Sequence, residues 1–291
     1  MISEPALDRL AGLLRRPDVT GTRYELLAVL GRGGMGVVYL ARDTVLDREV
    51  ALKIVDRAVR AGGASTDAVS TVSNEARILA RLEHPGIVPV HDFGELPDGR
   101  LFYAMKHVRG ERLDRWMSGD RSLADRLAVF LRICEPVSFA HARGVVHCDL
   151  KPENVMVGEF GEVLVLDWGL ANQAFAGTPP FMAPEQTRAG GAIDPRTDVH
   201  ALGAILETMS RAPALAAIAT KAKALEPSGR YQDVASLAAD VTRFLAGGAV
   251  EAHRERLVDR LSRVWRRHKV MIVLVTTYLI VRLLLIWFAR I

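Results

Sequence analysis

Cysteine is nearly absent. The 291-residue chain carries two, Cys134 and Cys148, too few for a disulfide framework, and a reducing compartment is the simpler expectation. A secretory leader is not expected either: residues 1–16 hold the acidic Glu4 and Asp8 and a proline, with no apolar run. No internal repeat occurs, which excludes a repeat architecture. The Ala-rich stretches 214–224 and 235–246 are helical in spacing but share no unit. A basic field over the body is also lacking. Residues 251–291 hold nine Lys/Arg and three Asp/Glu, leaving 29 basic and 31 acidic residues in 1–250. The formal charge of +4 is therefore a local C-terminal feature, and nucleic acid is not an expected partner. What is present is a globular composition, 49% apolar and 25% charged, long enough for one large domain or two small ones.

Three segments follow one another. Residues 1–23 form a leader whose helical pattern, 5–14, is interrupted by Pro17. Residues 24–247 mix strand and helix patterns, and 248–291 turn basic and then apolar. Within the body, 24–30, 37–41 and 50–55 read as strands separated by turn residues. A helical pattern spans 67–82 and stops before His84-Pro85-Gly86. Strands are predicted at 87–93 and 101–106, and helices at 123–142, 197–209, 214–225 and 233–245. Strands first and helices second predict two lobes of α+β class. Pro136 falls inside the 123–142 helix, where it should remove a backbone bond and bend the axis.

Gly31-Arg32-Gly33-Gly34-Met35-Gly36-Val37-Val38 lies between two strand patterns. Glycine lets a backbone approach phosphate and aim N–H groups at it. Alone, the pattern fits a tight hairpin equally well. A dinucleotide-binding loop needs a helix after its glycines, whereas Val37-Val38-Tyr39-Leu40 is strand-like. Val50-Ala51-Leu52-Lys53 then sets a lysine on an apolar strand, where it needs a partner, and Glu75 on the next helix can supply one. Either residue alone is more often a solvated surface charge. His147-Cys148-Asp149-Leu150-Lys151-Pro152-Glu153-Asn154 and Asp167-Trp168-Gly169 shift that balance. The strand runs 155–157 and 163–166 between them predict a hairpin that brings Asn154 and Asp167 to one side. Two oxygen ligands suit Mg²⁺, with Mn²⁺ as the alternative, held mainly by nucleotide phosphates and water. Asp149 can accept the proton of an incoming hydroxyl, and Lys151 supplies positive charge where a phosphoryl group passes.

In this order, and closed by Ala183-Pro184-Glu185, the motifs resemble the eukaryotic-type (Hanks-type) serine/threonine protein kinases over residues 24–247. Leu30 to Tyr39, and Gly177-Thr178-Pro179 up to Gln186, are similar to bacterial members. The resemblance implies a two-lobed protein kinase fold, with an N-lobe over 24–108 and a C-lobe over 109–247. It implies transfer of the ATP γ-phosphoryl group to protein hydroxyls. The implied ATP contacts are Leu30, Gly31, Arg32, Gly33, Gly34, Met35, Gly36, Val37, Val38, Ala51 and Lys53. Met105 would be the gatekeeper, and Lys106, His107 and Val108 the hinge. Lys53 would hold the α/β-phosphates and pair with Glu75. Asp149 would be the base beside Lys151, with Asn154 and Asp167 on metal and Thr178 in the substrate region. Glu185 would pair with Arg230, and Asp198 would brace the catalytic loop. The competing reading is a scaffold that binds nucleotide or partners without transfer. A small-molecule kinase is disfavoured by the peptide-platform character of Gly177-Thr178 and Ala183-Pro184-Glu185.

Departures from the family pattern are informative. Cys148 stands where an arginine usually gathers an activation-loop phosphate, and Leu-Ala-Asn-Gln-Ala-Phe-Ala-Gly at 170–177 has no hydroxyl to phosphorylate. Both halves of that switch are missing together, which predicts activity without loop phosphorylation. Cys148 reads as a small buried replacement, with a redox role as the alternative. Trp168 replaces the usual phenylalanine, and Arg211-Ala212-Pro213 stands where a longer helical insert is usual.

Residues 270–289 contain one charge, Arg282. Twenty helical residues at 1.5 Å each cover the ~30 Å hydrocarbon core. Trp265 and Trp287 flank the span, and Arg254, Arg256, Arg260, Arg263, Arg266, Arg267 and Lys269 precede it. The pattern predicts a basic juxtamembrane segment over 248–269 and a single-pass helix over 270–289, with the body cytoplasmic and anionic lipid as a partner. A helix lying on the surface or packed on the body is the alternative for Arg282. A homodimer through this helix is a further alternative, without a small-xxx-small pattern to support it.

Overall fold

The structure is a computed structural model describing residues 17–33, 36–55, 82–168, 178–188 and 191–252, with 271, 273–275, 277–279 and 281–282. The helical pattern at 5–14, Gly34 and Met35, Glu75 with most of its predicted helix, and 169–177 lie outside these residues.

Strands β1 (Tyr24–Gly33), β2 (Gly36–Asp43), β3 (Arg48–Val55), β4 (Val90–Glu95) and β5 (Leu101–Lys106) form an antiparallel sheet in the order β1-β2-β3-β5-β4. Side chains alternate between the faces of a strand. Val50, Leu52 and Ile54 of β3 accordingly join Tyr24, Leu26, Val37, Tyr39 and Phe102 in one apolar layer. Ala51 and Lys53 face the opposite way, toward the second lobe.

The fourth strand starts at Val90 rather than at residue 87. Pro89 has no N–H to give a ladder. Residues 87–88 instead tie the lobes together: Ile87 bridges Val165, and Val165 N–H donates to the Gly86 carbonyl at 2.8 Å.

The second lobe opens with β6 (Gly110–Arg112) and α1 (Leu113–Ser118), elements too short for periodicity to signal. Strand β6 pairs with the hairpin of β7 (Val155–Gly158) and β8 (Val163–Val165). The helices α2 (Leu123–His141), α3 (Pro195–Met209), α4 (Pro213–Ala222) and α5 (Val234–Leu245) build the base. Side-chain caps fix three of their starts. Ser122 accepts from Asp125 N–H at 3.1 Å, Asp194 from Arg196 N–H at 2.8 Å, and Asp233 from Ser236 N–H at 2.6 Å. Helix α3 is buried on nearly every side, as a central helix must be. At Gly203 an added Cβ would sit 2.6 Å from the Ala222 Cβ, so glycine sets the close approach of α4.

Pro136 does not stop α2. Its ring packs under the chain at Gly86, where a Cβ would lie 2.9 Å from the proline Cγ. The residue that costs a helix bond thus supports the lobe-crossing segment. At the far end, the buried Asp240 accepts from the Tyr231 hydroxyl at 2.7 Å, Glu251 N–H at 2.7 Å and Ala252 N–H at 3.1 Å. These bonds fasten residues 250–252 to the helical lobe. Among the described residues no helix is long and apolar enough to cross a membrane. The predicted span over 270–289 falls largely outside them. Its described positions are helical, and all are exposed.

Candidate active site

A cleft of about 690 Å³ separates the lobes. Leu30, Gly31, Val38, Ala51, Lys53, Met105, Lys106, His107 and Val108 line it, with Asn154 and Asp167 on the lower wall. Val37 does not: one residue before Val38, it points into the apolar layer of the sheet. Arg32 and Gly33 pair with Val37 and Gly36 across the hairpin, and Arg32 is not among the lining residues. Gly36 has φ 149°, and a Cβ there would lie 2.2 Å from the Ile54 carbonyl oxygen. The hairpin therefore rests directly on β3, and only glycine fits. Val88, Tyr103, Met156 and Leu166 complete the apolar lining. Sequence reasoning passed over them because a single apolar residue on a strand carries no functional signal.

Lys53 is buried, with its Nζ paired to Asp167 Oδ1 and 5.5 Å from the Tyr103 ring centroid. Asp167 sits at φ 62°, a left-handed conformation that costs a non-glycine residue about 1–3 kcal/mol. Its neighbours are pinned. Leu166 N–H donates to the Asn154 carbonyl at 2.8 Å, His147 Nε2 meets the Leu166 carbonyl at 2.9 Å, and Trp168 Nε1–H donates to the Val165 carbonyl at 3.3 Å. Because Asp149 N–H donates to His147 Nδ1 at 3.2 Å, Nε2 carries the imidazole proton. The fully buried Trp168 also rests on His147, ring centroids 4.6 Å apart. The indole thus keeps the packing role of the usual phenylalanine and adds a donor. Desolvation at the cleft floor works to raise the Asp167 pKa. The Lys53 charge and hydrogen bond, with Lys151 beyond, outweigh it and hold the carboxyl below the usual range.

Asp149 lies at the centre of a second group. Lys151 Nζ donates to Asp149 Oδ2 at 2.7 Å and to Thr178 Oγ1 at 2.7 Å, and the Thr178 hydroxyl donates to Asp149 Oδ1 at 3.0 Å. Asn154 Nδ2 donates to the Asp149 carbonyl at 2.9 Å and to Oδ2 at 3.2 Å, so its Oδ1 is the end that can ligate. Among the described residues no three His, Cys, Asp or Glu side chains converge as a metal centre. The Asn154 and Asp167 oxygens fit an ion shared with phosphates rather than a protein cage.

Beneath this group lies Asp198, fully buried. It accepts from His147 N–H at 2.8 Å, Cys148 N–H at 2.9 Å and His141 Nε2 at 2.7 Å. Cys148 is itself left-handed at φ 69° and buried, its thiol facing the Val146 carbonyl at 3.6 Å. Farther out, Arg230 forks onto Glu185, each N–O distance 2.7 Å, and Thr197 Oγ1 donates to Glu185 Oε1 at 3.1 Å. Two contributors had no sequence signal: His141 on α2, and the buried Gln186, whose Nε2 donates to the Cys148 carbonyl at 2.7 Å.

A glycine hairpin over a lysine–aspartate pair, facing a carboxylate and ammonium on a hydroxyl, defines a two-lobed ATP-dependent phosphotransferase class. A sequence profile described as the protein kinase domain matches residues 24–240, and the chain belongs to that family. It is 29% identical over 319 residues to the serine/threonine-protein kinase PknD of Chlamydia caviae, covering 85% of this chain and 34% of that protein. The PknD of Chlamydia trachomatis serovar D is 30% identical over 321 residues, covering 84% and 34%. The chain thus spans about a third of the length of these relatives. Among solved structures, the Mycobacterium tuberculosis PknI kinase domain aligns with a TM-score of 0.63 at 26% identity, covering 79% of this chain and 99% of that one.

Proposed function

We propose that this chain is a serine/threonine protein kinase that transfers the γ-phosphoryl group of ATP to protein hydroxyls. One observation carries the reading. Asp149 already accepts a hydrogen bond from a hydroxyl, that of Thr178 at 3.0 Å, while Lys151 holds both partners at 2.7 Å. An acceptor serine or threonine entering beside Thr178 meets the same carboxylate. As its oxygen bonds to phosphorus, Asp149 takes the proton and the bond to the departing ADP breaks. Lys151 offsets charge on the transferring group, and Lys53 holds the α/β-phosphates below the glycine hairpin, with Glu75 assigned to support it. When bound, Mg²⁺ (or Mn²⁺) supplies charge neutralisation on the phosphates, and Asn154 and Asp167 are the residues to hold it. Asp198 fixes the loop backbone, and the Glu185–Arg230 pair fixes the substrate platform. The full chain given γ-labelled ATP should label itself or casein on serine or threonine. Absence of label on any protein sinks the reading.

Independence from activation-loop phosphorylation is part of the proposal. The loop 170–177 has no hydroxyl, and a buried thiol at Cys148 replaces the cation that would read a phosphate. Phosphatase-treated enzyme should keep its initial rate within about twofold, since the charge-paired phosphate switch is missing on both sides. A rate lost with the phosphate and restored on autophosphorylation would refute this.

Membrane tethering completes it. Met271, Val273, Leu274, Val275, Tyr278, Leu279 and Val281 are about half exposed or more on a helical segment that follows seven basic residues. Such a surface suits hydrocarbon, and the basic stretch suits a cytoplasmic leaflet. Expressed in bacteria, the chain should stay in the membrane pellet through an alkaline carbonate wash. Release into the supernatant would count against the span.

A further inference from the structure

Cys148 and its left-handed backbone stand directly before the proposed base, so whatever holds Cys148 aims Asp149. Two buried side chains bracket it. Asp198 takes the Cys148 N–H at 2.9 Å, and on the other side Gln186 Nε2 donates to the Cys148 carbonyl at 2.7 Å. The same amide faces the other way as well: Gln186 Oε1 accepts from Ala183 N–H at 2.9 Å. Gln186 is 2% exposed, next to the Glu185 that Arg230 clamps. Its segment, 178–188, begins with Thr178, whose hydroxyl donates to Asp149.

We infer that Gln186 is a positioning residue for phosphoryl transfer, coupling the peptide platform to the catalytic loop through its two-sided amide. The inference rests on the kinase reading above. A carbonyl can only accept and a backbone N–H can only donate, so the bridge needs a side chain with one donor and one acceptor. Glutamine meets that need. Leucine meets neither side, and an ionised glutamate meets only the Ala183 side. Held from both sides, φ 69° at Cys148 is over-determined, as strained functional backbone must be. Without the Nε2 donor, the Cys148 carbonyl loses a buried partner and the peptide before Asp149 is free to turn. Displacing a reacting group by about 1 Å costs on the order of 100-fold in rate.

Gln186→Glu in the full chain separates this role from packing, because shape and the Ala183 bond are retained. A buried carboxylic acid resists ionisation and, when protonated, can donate as the amide does. At pH 8, kcat for casein labelling should fall about 30-fold, with the KM for casein and the affinity for an unreactive ATP analogue within twofold of wild type. Its kcat relative to wild type should climb as pH is lowered toward 6, when the acid regains its proton. Gln186→Leu should lose as much kcat and show no such recovery. Wild-type kcat in Gln186→Leu, a Gln186→Glu deficit equal at every pH, or loss of analogue binding alongside kcat each overturn the inference while leaving the kinase reading intact. A wild-type chain that labels nothing overturns both.

Discussion

Asp167→Asn is expected to lower phosphoryl transfer about 10³-fold, or about 4 kcal/mol of transition-state stabilisation, without unfolding the chain. Asparagine tolerates the left-handed φ of 62° that Asp167 adopts, so the backbone between Leu166 and Trp168 has no reason to move. Its pins, the bonds from His147, Trp168 and Leu166, do not involve the Asp167 side chain. What disappears is the negative charge. The ion pair between Lys53 and Asp167 is lost, and the proposed metal site loses the carboxylate assigned to it. The Mg²⁺ concentration for half-maximal rate should rise at least about tenfold, since ligand charge sets affinity for hard cations. Initial rates across a Mg²⁺ titration check both statements. A variant within threefold of wild type at low Mg²⁺ would remove Asp167 from the chemistry.

Arg230→Met should be the most damaging single change to stability outside the apolar core. Arg230 is 2% exposed and Glu185 7%. The guanidinium donates twice to Glu185 at 2.7 Å, and also to the carbonyls of Ala224 at 2.8 Å and Arg196 at 2.9 Å. Methionine keeps the length of the side chain but leaves a buried carboxylate with Thr197 as its remaining side-chain partner. Breaking one side of such a pair costs about 3–5 kcal/mol, which lowers the melting temperature by about 10 °C in a domain of this size. The pH dependence has a definite sign. Burial pushes the Glu185 pKa up, but the bonds from Arg230 outweigh it, so its folded value lies below the ordinary 4.5. A depressed carboxyl contributes stability that is complete above its unfolded pKa and fades as pH falls through the folded one. In Arg230→Met burial outweighs what the Thr197 and backbone hydrogen bonds retain, the pKa rises, and proton uptake relieves the variant. The melting-temperature gap between wild type and variant should therefore narrow from pH 7 toward pH 4. A gap that is constant or widens on acidification would deny that Glu185 is the stranded group.

Much of the site was legible because its chemistry demands rare combinations. An acid two residues before a lysine, an asparagine three residues on, and a second acid after a strand hairpin have few other uses together. Ala51 and Lys53 were expected from the resemblance alone, and strand alternation is what turns them away from Val50 and Leu52. The same rule, applied one hairpin earlier, would have put Val37 in the core while Val38 faced the cleft. What stayed hidden depends on tertiary contact. Residues 87–88 look like the start of a strand, and their ladder partner turns out to be Val165 of the other lobe. Pro136 looks like a fault in a helix until Gly86 is seen above it. Gln186 and His141 are polar residues whose roles exist only when distant segments meet a strained backbone, and no spacing announces that. Short elements such as β6 and α1 carry too few residues for any period.

The central claim is that Asp149 acts as the proton acceptor of a working phosphotransferase. Its most direct test runs the wild-type chain and Asp149→Asn side by side with γ-labelled ATP, Mg²⁺ and casein, and follows nucleotide-induced thermal stabilisation of the same samples. Asparagine fits the space of Asp149 but cannot take a proton. The account predicts label on serine or threonine with wild type, at least about 10²-fold less with the variant, and an equal thermal shift by ATP in both. If wild type and variant are both silent while ATP still stabilises each, the chain binds nucleotide without transferring phosphate, and the kinase account is wrong.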